Sequence, residues 1–279
     1  MKRAFAQVDV FTTEPYRGNP VAVVLDASGL ADAEMGRIAH WTNLSETTFV
    51  LPPSAGEADY RVRIFTPVAE LPFAGHPTLG TCHAWLEMGG APQDGAAVVQ
   101  ECAAGLVRIR QGERQLAFAA PPLVRSGPVE EADVERVARL LGIDRGAILD
   151  AQWADNGPGW VAVMLADAEA VLALTPGFIE DMDIGVVGRH AEGGDAAWEV
   201  RAFFAKDGAT VEDPVTGSLN ASLAQWLLSS GYAEAPYVAA QGTALGRRGR
   251  AHITQDEDGT IWVGGGTVTC ISGQVELPV

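Results

Sequence analysis

The side chains best suited to chemistry lie at or just before the starts of two similar segments of this 279-residue sequence. They are Glu70, His76, Glu212, Asp213 and Ser218. Carboxylates and imidazoles can accept and return protons, and a hydroxyl group can hold a polar group of a ligand. Glu46, where an earlier loop meets a strand, is a further candidate. These residue types indicate a small polar site. The backbone at the starts of the two segments indicates which kind of ligand the site binds.

Both segments are predicted to be helices that other structure encloses. They run over residues 75–89 and 216–231; each begins near a glycine, carries Trp-Leu near its end and stops at a glycine. Apart from Glu87 their side chains are small, apolar or weakly polar, so neither helix has a charged face for solvent. Unpaired N–H groups at a helix start favour an anion. We therefore expect a carboxylate-bearing ligand where the two helix starts approach each other.

The sequences that precede the two helices also match each other, and this match predicts a duplicated α+β unit. Val62-Arg63-Ile64-Phe65 precedes the first helix and Val200-Arg201-Ala202-Phe203 precedes the second, each followed by a glutamate. Because short patterns recur by accident, chance similarity between two core helices is the alternative.

Composition and charge exclude several classes of partner. With 47% apolar residues the chain can fill two cores, and its net charge of −17 argues against nucleic acid or an anionic membrane as partner. No stretch of about 18 uncharged apolar residues occurs, and the N-terminus has no long apolar run after its charges. We therefore expect a cytoplasmic protein.

Neither a metal nor a cofactor is predicted. Cys82, Cys102 and Cys270 are odd in number and have no paired spacing, so they are interpreted as core thiols. The glycine run at 264–266 opens no helix and lacks the spacing of a dinucleotide fingerprint. No Walker loop, nucleophile elbow or metal-ligand cluster is present.

Propensity and turn signals predict the order of elements. The consecutive breakers Pro121-Pro122 and Ser126-Gly127-Pro128 mark the boundary between halves. Besides the two enclosed helices, helical segments are predicted near residues 32–40, 129–141, 166–174 and 178–182. Strands are predicted near residues 3–11, 21–25, 47–51, 60–65, 97–101, 106–111, 115–119, 147–152, 160–164, 184–189, 198–204, 237–240, 251–254, 260–263 and 267–275.

Each candidate residue also has a purely structural interpretation. His76, which precedes Pro77, could be a helix cap with no further role. The same holds for Asp213 and Ser218. Glu46 could be a carboxylate on a surface loop, since glutamate is mostly exposed. Residue type and position alone leave these alternatives open.

Five stretches of the sequence carry a resemblance to a known family. They are FTTEPYRGNPVAVV at 11–24, NLSETTFV at 43–50, RIFTP at 63–67, ELPFAGHPTLG at 70–80 and EDPVTGS at 212–218. In this order they resemble the PhzF-like phenazine-biosynthesis isomerases, which are related to diaminopimelate epimerase. The resemblance implies an α+β fold of two pseudo-symmetric domains, each a β-roll or barrel around one buried central helix. The expected domains are residues 1–120 and 121–265, with a C-terminal strand in 266–279 that returns to the first.

The resemblance also implies a cleft between the domains as active site, a homodimer, and roles for individual residues. The family's acid/base carboxylate falls on Glu46, and its other catalytic positions fall on His76 and Asp213. Substrate-binding positions fall on Ser45, Gly75, Gly217 and Ser218.

Relatives that racemise amino acids use two cysteines, one at each helix start, and this chain has no thiol in either loop. Cys82 lies about 10 Å into its helix at ~1.5 Å per residue and cannot substitute. We therefore expect an isomerase that moves a proton and a double bond within a small unsaturated carboxylic acid. Glu46 would act as base and then acid, with a pKa raised from ~4.3 toward neutrality by burial.

The other residues have complementary expected roles. A neutral His76 would pass a hydrogen bond, Asp213 would hold an amino or hydroxyl group, and Ser218 would bind the carboxylate. One alternative is a cofactor-independent epimerase of an amino or hydroxy acid that pairs Glu46 with a group other than cysteine. Another is a non-catalytic binding or interaction protein on the same fold.

Overall fold

The computed structural model of the chain describes residues 1–95, 97–112, 115–206 and 208–277. Its residues divide into an N-terminal unit, Met1–Ala119 with Gly264–Val279, and a C-terminal unit, Ala120–Val263. Each unit contains a mixed sheet and one long, largely buried helix, as the α+β prediction required. Among the described residues no helix has both the length and the apolar character needed to span a membrane.

The N-terminal unit is a sheet whose order is not the order of the sequence. Its helices are Asp32–Thr42 and Gly75–Glu87. Its strands are Lys2–Val10, Asn19–Leu25, Glu46–Leu51, Tyr60–Phe65, Glu70–Leu71, Ala97–Cys102, Gly105–Gln111, Leu116–Ala119 and Thr267–Glu276. Strand Lys2–Val10 pairs antiparallel with both Asn19–Leu25 and Thr267–Glu276, so the end of the chain contributes to this sheet.

The helix Gly75–Glu87, called the first central helix, packs on this sheet through its small residues. A Cβ atom on Gly80 would lie 2.3 Å from Val21 Cγ1, so only glycine permits this approach. The hydroxyl of the next residue, Thr81, donates a 2.8 Å hydrogen bond to Thr48 Oγ1 on the strand Glu46–Leu51. Thr48 therefore faces the helix, and so does Glu46, because side chains two apart on a strand share a face.

The C-terminal unit repeats this plan. Its helices are Glu131–Leu141, Ala168–Leu172 and Gly217–Ser229, with short 3₁₀ turns at Arg145–Ala147 and Thr243–Leu245. Its strands are Arg125–Pro128, Asp150–Asp155, Trp160–Met164, Asp183–Arg189, Trp198–Lys206, Ala209–Glu212, Tyr237–Gln241, Gly249–Gln255 and Ile261–Gly265. The helix Gly217–Ser229, called the second central helix, covers one face of the sheet, and its Leu219 packs on Gly185. The helix Glu131–Leu141 packs in a separate apolar core.

The duplication predicted from the two Val-Arg-x-Phe runs extends to matching ion pairs. Arg63 donates to both carboxylate oxygens of Glu70 at 2.7 and 2.6 Å, and Arg201 does the same to Glu212 at 3.0 and 2.7 Å. Both glutamates sit in the strand that pairs antiparallel with the run itself. The second pair is buried, with side chains 6% and 10% exposed, whereas those of the first are 22% and 36% exposed.

Two details of the predicted element order are wrong. Residues 178–182 form no helix, because the backbone there bonds to other segments: the Ile179 N–H donates to Thr210 Oγ1 and the Gly177 N–H to the Leu140 carbonyl. The breaker-rich stretch before the helix Glu131–Leu141 contains the strand Arg125–Pro128, which pairs with Asp150–Asp155. Turn residues are compatible with such a strand when it is short and lies at an edge.

Candidate active site

Glu46 and His76 meet at the start of the first central helix. Glu46 is the first residue of its strand, and His76 is the second residue of the helix. His76 Nε2 lies 3.2 Å from Glu46 Oε2, although off the line of an aligned hydrogen bond. Both side chains are largely buried, at 5% exposure for His76 and 14% for Glu46. The interpretation of Glu46 as a surface loop carboxylate is therefore wrong.

Burial keeps His76 neutral. It lowers the pKa of His76 to about 3, and this effect outweighs a hydrogen bond with the Pro20 backbone, which raises the pKa. The Asn19 amide, itself fully buried, lies 3.4 Å from His76 Nδ1. The contact with Glu46 is therefore between a carboxyl group and a neutral imidazole, and it is not a salt bridge near neutral pH.

The helix start beside this pair provides backbone donors. The residue before the helix is Ala74, and no side chain caps the helix there, so His76 is not a cap. The first intrahelical hydrogen bond runs from the Thr78 N–H to the Ala74 carbonyl. The N–H groups of Gly75 and His76 precede it, and such groups can bind an anion.

Ser218 is the second residue of the second central helix and is fixed from two sides. The Trp160 indole donates to Ser218 Oγ at 3.1 Å, and the Asn156 amide donates to the Ser218 carbonyl at 2.9 Å. Thr216 precedes the helix, which has no side-chain cap, so neither Ser218 nor Asp213 caps it. The serine hydroxyl accepts the indole N–H and keeps its own proton to donate.

Asp213 lies just before the second central helix in a buried polar network. The Thr216 hydroxyl donates to Asp213 Oδ2 at 2.6 Å. The Gln241 amide donates to Thr216 Oγ1 and to the Asp213 carbonyl, while its oxygen accepts from the Thr216 N–H and from Asn220. This network fixes the carboxylate of Asp213. Sequence reasoning missed Gln241 and Asn220, because a buried amide is recognisable only from its three-dimensional partners.

The remaining predicted residues fall into two groups. Gly75 and Gly217 are buried first residues of the central helices, and Ser45 is half-buried directly before the strand of Glu46. Glu70 and Glu212, also candidates, are instead held in the arginine ion pairs. The structure thus brings Glu46 together with His76, and Asp213 together with Thr216, while the catalytic and binding roles stay predictions.

Two of the three cysteines are buried, as predicted, and the third is not. Cys82 and Cys102 are buried, and burial raises the pKa of Cys82 to about 12 and that of Cys102 above its usual value. Cys270 is only half-buried, so its interpretation as a core thiol is wrong. No group of three or more metal-ligating side chains occurs in the described ranges.

Comparison with known proteins identifies close relatives along nearly the whole chain. The family described as phenazine biosynthesis-like protein matches residues 8–273. The chain is 37% identical to trans-2,3-dihydro-3-hydroxyanthranilate isomerase of Pseudomonas fluorescens, covering 86% of each protein. It is 36% identical to the protein named antisense-enhancing sequence 1 of Schizosaccharomyces pombe, covering 98% of each.

Solved structures give the same result for the fold. A PhzF-family phenazine biosynthesis protein of Bacillus anthracis superposes with a TM-score of 0.84 at 25% identity, covering 99% of this chain and 100% of that one. A probable proline racemase of Agrobacterium radiobacter superposes with a TM-score of 0.60 at 14% identity, over 99% and 93% of the two chains, and is similar in fold alone. These likenesses confirm the predicted diaminopimelate epimerase-like fold.

Proposed function

Because the chain belongs to the phenazine biosynthesis-like protein family, whose curated relatives include isomerases, we propose that it moves a proton and a double bond within a small unsaturated carboxylic acid. The observation that carries this proposal is the contact of Glu46 with a neutral His76 at the start of the first central helix. A general base must be held rigidly within reach of its proton, and a strand residue facing a packed helix meets that requirement.

The chemical step uses one carboxyl group twice. Ionised Glu46 takes a proton from a carbon of the substrate, and the electron pair left behind delocalises through the double bond toward the substrate carboxylate. Glu46 then returns a proton, either the one it took or one exchanged with solvent, to another carbon of that system on the same face, and the double bond shifts. No proton or electron is left over, so the step requires no redox partner.

The other predicted site residues are proposed to stabilise the developing negative charge and hold the substrate. The N–H groups at the helix starts, including those of Gly75 and Gly217, favour an anion. A neutral His76 can donate or accept a hydrogen bond. It carries no positive charge that would disfavour the protonated form of Glu46. Ser218 would donate to the substrate carboxylate, Asp213 would accept from an amino or hydroxyl group, and Ser45 is assigned to binding by the family resemblance.

The test substrate follows from a relative's name. The Pseudomonas fluorescens relative is named for trans-2,3-dihydro-3-hydroxyanthranilate, an unsaturated ring acid with an amino and a hydroxyl group. We propose this acid, or one of the same chemical class, for the present chain. A homodimeric state is proposed with it on the family resemblance, and location in the cytoplasm, the expectation from the sequence, is retained as part of the proposal.

Proton exchange in heavy water tests the proposal. The wild-type chain should shift the double bond of the test acid, and Glu46→Gln should slow this by roughly a hundredfold or more, since a positioned acid/base group contributes ~10²–10⁴. Glu57→Gln, which changes an exposed glutamate of the same unit, is the matched control and should retain activity. A folded Glu46→Gln protein with full turnover would exclude the assignment.

The same experiment separates the two alternatives. An epimerase would invert a chiral amino or hydroxy acid without moving a double bond, so loss of optical activity with the double bond in place would favour it. A non-catalytic binding protein would introduce no deuterium into any bound acid.

A further inference from the structure

Asp183 holds, within the C-terminal unit, the position that Glu46 holds within the N-terminal unit. Each carboxylate is the first residue of its strand and pairs with a residue on a parallel neighbour, Glu46 with Val21 and Asp183 with Trp160. The two strands therefore begin at equivalent points of their sheets.

The neighbouring strand on the other side confirms this equivalence. Thr47, which follows Glu46, pairs antiparallel with Phe65, and Ile184, which follows Asp183, pairs antiparallel with Phe203. Phe65 and Phe203 end the two Val-Arg-x-Phe runs that mark the duplication. The match thus includes strand direction, register and sequence.

Asp183 also faces its own central helix. Gly185, two residues further along the strand, packs against Leu219 in the first turn of the second central helix. Trp160, the register partner of Asp183, donates its indole N–H to Ser218 on the same turn. Because alternate strand residues and paired residues share a face, the Asp183 side chain lies on the Ser218 side of the sheet.

No group of the described chain satisfies this carboxyl. Within the described ranges Asp183 makes no side-chain hydrogen bond or ion pair, although the residue is only partly exposed. Burial, together with a smaller effect of the negative charge of Asp155, raises the pKa of Asp183 to about 6. A partly desolvated carboxylate without a donor is costly, so it gains from a ligand that supplies one.

We propose that Asp183 contacts the substrate, accepts a hydrogen bond from its amino or hydroxyl group, and so selects unsaturated acids that carry such a group. This inference rests on the proposed function and deepens it by adding a residue that selects the substrate. Asp183 thereby acts as a specificity residue beside Ser218, in the position from which Glu46 acts beside His76. The charged groups nearby are Asp155, at the end of the strand on the far side of Trp160–Met164, and Asp213, whose N–H donates to the Ala202 carbonyl on the strand Trp198–Lys206.

Equilibrium binding to the Glu46→Gln protein, which should bind without turnover, tests the inference. One probe is trans-2,3-dihydro-3-hydroxyanthranilate, and the other is cyclohexa-1,3-diene-1-carboxylate, the same ring acid without amino and hydroxyl groups. Adding Asp183→Asn keeps an acceptor oxygen but removes its charge, so it should weaken the first probe by roughly five- to tenfold, the difference between a hydrogen bond to a charged group and one to a neutral group, and leave the second unchanged. Asp181→Asn, an exposed neighbour paired with Arg136, is the matched control and should change neither.

A pH series adds a readout that a merely structural role would not move. Affinity for the first probe should fall as pH drops below about 6, and this fall should vanish in Asp183→Asn. Asp155→Asn should move the fall to lower pH, because it removes the neighbouring negative charge while its amide oxygen can still accept the N–H groups of Gly157 and Gly159. This second variant provides a test even if Asp183→Asn folds poorly.

The outcomes separate the two proposals. Equal weakening of both probes, an unchanged pH profile, or no binding of the first probe to the Glu46→Gln and wild-type proteins would each overturn the role of Asp183. The proposed function fails on a different result, namely the absence of double-bond migration in the wild-type chain.

Discussion

Replacing His76 with glutamine should make the folded protein markedly less sensitive to acid. In the unfolded chain an imidazole binds a proton below about pH 6.5. In the folded protein burial lowers the pKa of His76 to about 3. Between these two values the unfolded state holds a proton that the native state lacks, so the free energy of unfolding decreases as pH falls.

The size of the effect follows from that window. Each pH unit is worth about 1.4 kcal/mol, so this one group should cost wild type about 3 kcal/mol between pH ~6.5 and ~4.5. The full loss would reach about 5 kcal/mol near pH 3. Glutamine does not titrate, so the variant should lack this part of the slope, even if it is less stable at neutral pH.

Urea unfolding at a series of pH values between about 7 and 4.5 measures the difference. The pKa values of His83 and His252 are also lowered by burial, but both residues are present in each protein and their contributions cancel. His40→Gln is the matched control, since its imidazole is exposed in the folded protein. Parallel stability curves for wild type and His76→Gln would refute the argument that a buried, neutral imidazole stands beside Glu46.

Three further predictions concern a buried ion pair, a close helix–strand contact and a buried thiol. Arg201→Met should lower the free energy of unfolding, measured in urea, by about 3–5 kcal/mol, because it leaves the buried Glu212 carboxylate without its partner. Arg63→Met, which breaks the more exposed pair, should lower it by about 1 kcal/mol or less. Equal losses in the two variants would contradict this prediction. Gly80→Ala should lower the free energy of unfolding by about 1–3 kcal/mol through overpacking, while Gly36→Ala, where a Cβ meets nothing within 4 Å, should raise it by roughly 0.5–1 kcal/mol. Cys82 should react with iodoacetamide only on unfolding, because burial raises its pKa to about 12, and rapid labelling of the native protein at Cys82 would oppose this.

The elements could be predicted where local composition carries the signal. The two central helices lack charged faces, and this absence predicted their enclosure. The Val-Arg-x-Phe runs predicted the duplication, and the structure extends it to matching ion pairs. By contrast, residues 178–182 have helical composition but no helix, because their backbone bonds to distant segments, which no local pattern reports.

The site was harder to predict because it depends on register. Glu46 and His76 are thirty residues apart, and their contact requires one particular alignment of strand and helix. Asp183 escaped notice because a single aspartate ahead of a strand resembles a turn residue. A signal existed: Glu46 precedes Arg63 by seventeen residues, and Asp183 precedes Arg201 by eighteen. Aligning the halves on their arginines would have placed Asp183 within one residue of the position that matches Glu46.

The strand Thr267–Glu276 determines which of the two units can finish folding first while the chain is being synthesised. The C-terminal unit is one continuous stretch, whereas the sheet of the N-terminal unit needs this strand, which is translated only after the whole of that stretch. The part translated first therefore finishes last, in contrast to the usual amino-to-carboxyl succession. Until this strand has been translated and has left the ribosome, the outer edge of Lys2–Val10 lacks its neighbour and is open to mispairing with other chains.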